Sequence, residues 1–241
     1  MDLFIENIVF NYSYVTLYWI SFVAFIFLYL VVGLLFLESC KILANKKILR
    51  KIESKNVSKQ QIVFEIKHSI KSIVIFGFSI IPIIYLVRLG EINLLPDTLV
   101  NVAIGIIILT VWNEIHFYIV HRVMHQKLMM KYVHIIHHKS HVPTVYSVYS
   151  FHWLEAFLLS TVPLTIIPFV PISIIAVFIY PLISILLNFA GHCNYRFGNG
   201  EGNSWLLFGT FHNQHHSRGR KNYGFAFNLL DKLFSKHNKK L

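Results

Sequence analysis

Cysteine is nearly absent. Cys40 and Cys193 are the only two in 241 residues, which excludes a disulfide framework and any zinc site built on cysteine. Charge is scarce as well: 14% of the residues are charged, against about 25% in an ordinary soluble domain, while 55% are hydrophobic. That surplus exceeds what a soluble core of this size buries, and a bilayer is the natural solvent for it. Acid is the scarcer sign, with 11 Asp and Glu against 22 Lys and Arg and a formal charge of +11. The basic residues flank apolar runs instead of forming a patch interleaved with aromatics, so no nucleic-acid partner is expected. Loop bias at a membrane and attraction to anionic headgroups account for them better. A positive leader region is also missing: Asp2 and Glu6 stand in its place, and the first apolar segment is expected to be retained as an anchor. With no internal repeat, low-complexity tract or linker, residues 1–241 read as one domain.

What is present is a set of long apolar runs, the second interrupted by Lys71 near its start and Pro82 near its end. Tyr14 to Leu37 holds 24 residues without a formal charge, enough for a helix across a hydrocarbon core of about 30 Å. Ser69 to Val87 is a second run, and Leu99 to Val120 a third, with Glu114 and His116 in its last turns. Leu154 to Ala190 suits a helical hairpin bent around Pro163, Pro168 and Pro171, each half short enough to be re-entrant instead. The expected fold is all-α: an integral membrane bundle of about four to five helices, with 121–153 and 191–241 forming a histidine-rich helical cap. Lys41 to Lys71 carries nine Lys or Arg against two Glu, and the segment after Ala190 eight against two acids. The positive-inside rule therefore puts the N-terminus outside and the cap in the cytoplasm. Nothing in the chain chooses between a bacterial inner membrane and an endoplasmic reticulum membrane.

Histidine is the abundant exception. Twelve of the 14 lie between His116 and His216, in three groups: His121-x3-His125, His134-x2-His137-His138 and His212-x2-His215-His216. Positions i, i+3 and i+4 neighbour one another on a helix, so each group can aim two or three imidazoles at one point. Eight such rings exceed the needs of one four-coordinate metal, and two metals would use them with His192 as the natural ninth ligand. Asn188, one helical turn earlier, could add a ligand directly or through water. His68 and His237, set among lysines, read as solvated side chains; His116, His141 and His152 remain open. Imidazole suits Zn, Cu, Fe and Ni. The H-E-x-x-H helix of zinc proteases and the paired E-x-x-H motifs of carboxylate di-iron bundles are absent. A nitrogen-rich binuclear site beside lipid fits oxygen activation best, with a zinc-dependent membrane hydrolase or a metal transporter as the readings of another class.

These residues resemble the fatty acid hydroxylase/sterol desaturase superfamily of membrane di-iron enzymes, over roughly Asn113 to Phe234. His116-Phe-Tyr with His121-Arg-x-x-His125 is similar to the first histidine box. His134-x-x-His137-His138-Lys-Ser-His141-Val-Pro-Thr resembles the second, and His152-x-x-Glu155 the element after it, with Trp153 where Pro is usual. Gly191-His192 with Tyr195 is similar to the segment after the hairpin. His212-x-x-His215-His216 resembles the third box, and Asn222-Tyr-Gly with Asp231-Lys-Leu-Phe the closing motif, which departs from the family at Leu230 and Ser235-Lys236. The resemblance implies two iron ions on the nine histidines and O₂ as co-substrate. It also implies an external donor such as cytochrome b5, ferredoxin or a reductase, and a lipid substrate to hydroxylate or desaturate. Glu155, Asn222, Asp231 and His116 become candidates for orienting the ligands.

Overall fold

The computed structural model describes residues 3–197, 209–218 and 221–235; of the expected cap, 198–208, 219–220 and 236–241, with His237, lie outside them. Helices α1 (Leu3–Phe10), α2 (Tyr14–Asn45), α3 (Lys59–Arg88) and α4 (Leu99–Met124) come first. A short, locally widened helix α5 follows at 127–138, then α6 (Trp153–Ser160), α7 (Ile174–His192), α8 (Thr210–Arg218) and α9 (Leu229–Ser235). Helices α2, α3, α4 and α7 are long and apolar enough to cross a membrane.

Each of the first three long helices starts at a hydroxyl. Ser13, Ser58 and Thr98 accept the N–H of Thr16, Gln61 and Asn101 at 3.1, 3.1 and 3.2 Å, relieving the donors a helix start leaves unpaired. Lys47 and Gly90, with φ of 61° and 76°, turn the chain left-handed just beyond α2 and α3. The helices outrun their apolar stretches: α2 continues from Leu37 to Asn45, α3 begins at Lys59 rather than Ser69, and α4 passes Val120 to Met124. Lys, Glu and Gln are good helix formers, so loss of hydropathy does not stop the helix.

Many apolar side chains face outward. Val15, Val23, Leu35, Ile107 and Val111 are 56–68% exposed, a surface suited to lipid rather than water. The protein is an integral membrane protein. Inside the bundle, one apolar cluster gathers Val9, Ile83, Ile84, Leu109 and Val177, and a second gathers Tyr29, Ile73, Phe76, Val148, Ile185 and Phe189.

The expected hairpin at 154–190 is unequal. Its second arm, α7, is long enough to span, but α6 stops at Ser160 and the chain then descends in successive turns. Ile167 and Val170 donate to Pro163 O and Ile166 O at 3.0 Å. Three prolines with no N–H forbid a regular ladder here, and backbone of this kind survives at membrane depth only when protein covers it. Helix α4 covers it: Trp112 Nε1 donates to Thr165 Oγ1 at 2.9 Å, and His116 Nε2 meets Thr161 Oγ1 at 3.2 Å. At the bottom Leu94 bridges Ile172, and Ser173 Oγ donates to Asp97 Oδ1 at 2.6 Å.

The opposite end carries the histidines. A two-residue ribbon pairs β1 (Arg50–Lys51) with β2 (Tyr195–Arg196), antiparallel, and Asn194 exchanges two 2.9 Å bonds with the Glu53 backbone. The basic segment after α2 thus meets the exit of α7, beside His192.

Helices α4 and α7 touch at Gly105, where a Cβ would stand 2.7 Å from both Ala176 Cβ and Ile172 Cγ2. Small residues of this kind let backbones approach without a hydrophobic drive. Gly105→Ala should therefore destabilise the protein by about 1–3 kcal/mol through overpacking, read as a lowered Tm in detergent. An unchanged Tm would mean that the two helices are free to separate.

Candidate metal centre

Nine histidines converge from four parts of the chain. His121 ends α4 and His125 follows it; His134, His137 and His138 lie on α5, His192 ends α7, and His212, His215 and His216 lie on α8. They form two groups, one of His121, His125, His134, His138 and His215, the other of His137, His192, His212 and His216. Within each group one nitrogen per ring lies within 4.8 Å of all the others. The groups do not coincide with the sequence clusters. On α5 the i, i+4 pair His134 and His138 serves the first group while His137 serves the second; on α8 the pair His212 and His216 serves the second while His215 serves the first. Rings four positions apart share a helix face and a ring between them points aside, so the α5 and α8 clusters each feed both groups, while His121 and His125 both serve the first. Eight of the nine rings are buried, and His125 is half-buried.

The arrangement is able to hold a cation. Five rings meet oxygen through Nδ1: His121 on Tyr223 O at 2.8 Å, His134 on Glu155 Oε1 at 2.7 Å, His192 on Asn188 O at 2.9 Å, His212 on Gly224 O at 3.3 Å and His215 on Lys221 O at 2.6 Å. With the proton held there, Nε2 of each is a bare lone pair turned inward. Nε2 of His121, His134 and His212, and both ring nitrogens of His216, meet no partner among the described residues. Buried lone pairs facing one another are costly unless a positive centre lies between them. Nε2 atoms of His125, His138 and His215 stand 2.9–3.2 Å apart, and those of His137 and His192 3.4 Å. Imidazole nitrogens about 2.0–2.1 Å from one ion are roughly 2.8–3.4 Å from each other at right-angled to tetrahedral geometry, so the spacing fits.

The electrostatics agree. Burial is the largest cause pushing the imidazoles down, His125 to about 3, His138 to about 2 and His215 to about 4. His134, His137, His212 and His216 are held well below the usual range by burial and by one another. Neutral rings keep their lone pairs for a metal.

A strap over 221–227 orients three rings at once, because Lys221, Tyr223 and Gly224 supply the carbonyls that hold His215, His121 and His212. Asn222 takes a left-handed φ of 66° in it, and a Cβ on Gly224 would collide with Phe227 O. Two carboxylates clamp the strap. Asp231 accepts the N–H of Tyr223 and Gly224 at 2.9 and 2.8 Å. Glu114 accepts those of Phe225, Ala226 and Phe227 at 2.9, 3.0 and 3.3 Å. Helix α8 is seated by Gly209, whose φ of 67° and lack of a Cβ let it lie against the Ala190–Gly191 backbone.

Glu155 and Asp231 thus lie behind ligands, and Asn222 acts through its backbone. The Asn188 side chain donates to Val148 O at 3.1 Å; only its main-chain carbonyl touches a ring of the centre. His116 sits on Thr161, His141 is exposed, and His152 Nδ1 accepts from Leu154 N at 3.3 Å at the start of α6. His68 Nδ1 meets Phe64 O at 2.9 Å. Glu114 was not among the candidate site residues. Its position was the available signal, since an ionisable residue inside a span marks a site by default.

Below the centre lies a cavity of about 90 Å³ whose walls include Asn113, Phe117, Phe151, Asn188 and Phe225. It shares Phe25, Ser79, Pro163 and Pro181 with a larger cavity of about 330 Å³ among Ile8, Leu17, Ile83 and Val177. Phe117 stands 5.0 Å from the His121 ring and Phe151 4.7 Å from the His137 ring, centroid to centroid.

A model of the fatty acid hydroxylase family matches residues 106–236, more than half of the chain. The chain belongs to that family. The match contains every histidine of both groups and both carboxylate clamps. Among individual proteins, a Delta(7)-sterol 5(6)-desaturase of Gibberella zeae is 32% identical over 124 residues, covering 48% of this chain and 32% of that protein. The lathosterol oxidase of Rattus norvegicus is 25% identical over 190 residues, 73% of this chain and 60% of the relative. That of Homo sapiens is 29% identical over 154 residues, 60% and 48%. The aligned part therefore spans a third to three fifths of these curated relatives. No solved structure matches the chain.

Two consequences can be measured. Purified without chelators, this member of the family should carry about two transition-metal ions per chain by elemental mass spectrometry, and His121→Ala or His216→Ala should hold half of that or less. Full retention by either variant removes that ring from the ligand set. Glu114→Ala takes the carboxylate away from three strap N–H groups and should weaken metal retention about 10–100-fold, the usual scale for a lost outer-shell partner; Glu114→Gln should lose less. Unchanged retention in Glu114→Ala would show that the strap needs no such clamp.

Proposed function

We propose that this protein hydroxylates a lipid with O₂ at a di-iron centre held by His121, His125, His134, His138 and His215 on one side and His137, His192, His212 and His216 on the other. The observation that carries the reading is an all-imidazole, two-group donor set above two adjoining cavities, the outer one apolar, in a membrane bundle. Iron held by these nitrogens supplies O₂ reduction and removal of hydrogen from an unactivated C–H bond, chemistry that side chains lack.

The residues do the rest. The strap carbonyls, Glu155 and the Asn188 carbonyl hold the rings in one tautomer, so the donors need no rearrangement on binding. Phe117, Phe151 and Phe225 wall the centre from water, and the cavities beneath accept a lipid directly from the bilayer. Residues 1–241 act as one domain. By the positive-inside rule the histidine end is cytoplasmic and the N-terminus outside. The basic segment from Lys41 to Lys71 shares that end and suits an acidic electron donor, such as cytochrome b5, a ferredoxin or a reductase. Desaturation at the same centre is the second reading, favoured by the names of the relatives, a sterol desaturase and lathosterol oxidases.

Lipid mass spectrometry under ¹⁸O₂ tests both, comparing cells expressing the intact protein with cells expressing His137→Ala. A lipid gaining one heavy oxygen only with the intact protein is the expected result. Loss of two hydrogens without label selects desaturation. Neither change, with iron, O₂ and a donor supplied, would sink the oxygenase reading and favour zinc chemistry.

A further inference from the structure

The two cavities differ in character. The larger is lined almost wholly by hydrocarbon, with Ser21 and Ser79 its only polar residues. The smaller, next to the histidines, carries Asn113, Asn188, Ser184, Tyr149 and Tyr180 on its walls. The Asn188 amide donates to Val148 O. Asn113 finds no such acceptor. It is 6% exposed, and its Nδ2 meets no partner among the described residues. An amide left unpaired in a membrane interior is expensive and has no water to turn to.

Asn113 lies on α4 one turn below Phe117 and two turns below His121, on the same face of the helix. It therefore faces the volume through which a molecule must pass between the outer cavity and the centre. A ligand that relieves it brings one small polar group into the inner cavity and leaves its hydrocarbon in the outer one. An acyl chain carrying a bulky headgroup does the reverse, laying its tail against the polar wall. A hydroxyl is the best match. The amide oxygen and nitrogen are interchangeable by a flip, and a hydroxyl both donates and accepts, so it satisfies either orientation.

We propose that Asn113 is a specificity-determining residue that binds the hydroxyl of a lipid alcohol, seating the hydroxyl-bearing end in the inner cavity and the apolar skeleton in the outer one. The proposal rests on the cavities being the substrate site of the proposed lipid oxidation. It narrows the substrate to a lipid whose polar part is a lone hydroxyl within a short stretch of skeleton from the carbon that reacts.

The test is binding, independent of turnover. Tritiated 1-octadecanol and tritiated octadecane are titrated onto the purified full-length protein in lipid nanodiscs. The intact protein should prefer the alcohol by about tenfold, the scale of one buried hydrogen bond otherwise left unmade. Asn113→Leu should bind both equally, with octadecane unweakened and metal content unchanged. Equal binding by the intact protein overturns the proposal, as does a preference that survives in a metal-replete Asn113→Leu. If the leucine variant does not fold, the comparison on the intact protein decides alone. The two readings fail separately: alcohol preference without iron or ¹⁸O product removes the oxygenase and keeps the alcohol pocket, while labelled product without preference removes only the pocket.

Discussion

Everything at the histidine end answers to one constraint, that nine imidazoles, eight of them buried, must be neutral and turned inward at the same time. Rings held this way repel when protonated and waste their lone pairs when empty, so the group is tolerable only around a cation. Neutrality alone is insufficient, because a neutral imidazole presents a lone pair on one nitrogen only. Carbonyl and carboxylate oxygens on Nδ1 of five rings choose that nitrogen. The choice is made largely by main-chain atoms, which makes the path of the backbone, more than any side chain behind the ligands, the determinant of the donor set.

The strap at 221–227 shows how far this dependence reaches. Its carbonyls face three ligands and its N–H groups face away, toward Glu114 and Asp231. One short segment therefore has both edges committed, with carboxylates on one side and imidazoles on the other. Glu114 belongs to a membrane helix and Asp231 to a short helix far along the chain. The centre is thereby coupled to the bundle by backbone hydrogen bonds to charge-capable groups, the stronger class of such bonds.

Much of this was legible in the sequence, for identifiable reasons. The nine histidines stood out because helical spacing translates directly into convergence. The four long helices stood out because lipid selects uninterrupted apolar length. The helix ends were not legible from hydropathy, since Ser58 and residues such as Lys59 and Gln61 extend α3 below its apolar part. The division into five and four was hidden because it depends on how α5 and α8 face each other, not on spacing within either. Glu114 was hidden for a related reason: its partners are backbone N–H groups more than a hundred positions away, and main-chain donors carry no residue signature. The unequal hairpin followed from three prolines whose cover, supplied by Trp112 and His116, is visible only in three dimensions.

The division of the α5 and α8 clusters between both groups has a bearing on biosynthesis. The four-histidine group draws two of its members from α8, and the five-histidine group one, so neither donor set is complete while that helix is still inside the ribosome. A nascent chain with all four long helices already threaded through the membrane offers a metal only partial sets from α4, α5 and α7. The same short helix thus completes both donor sets in one event.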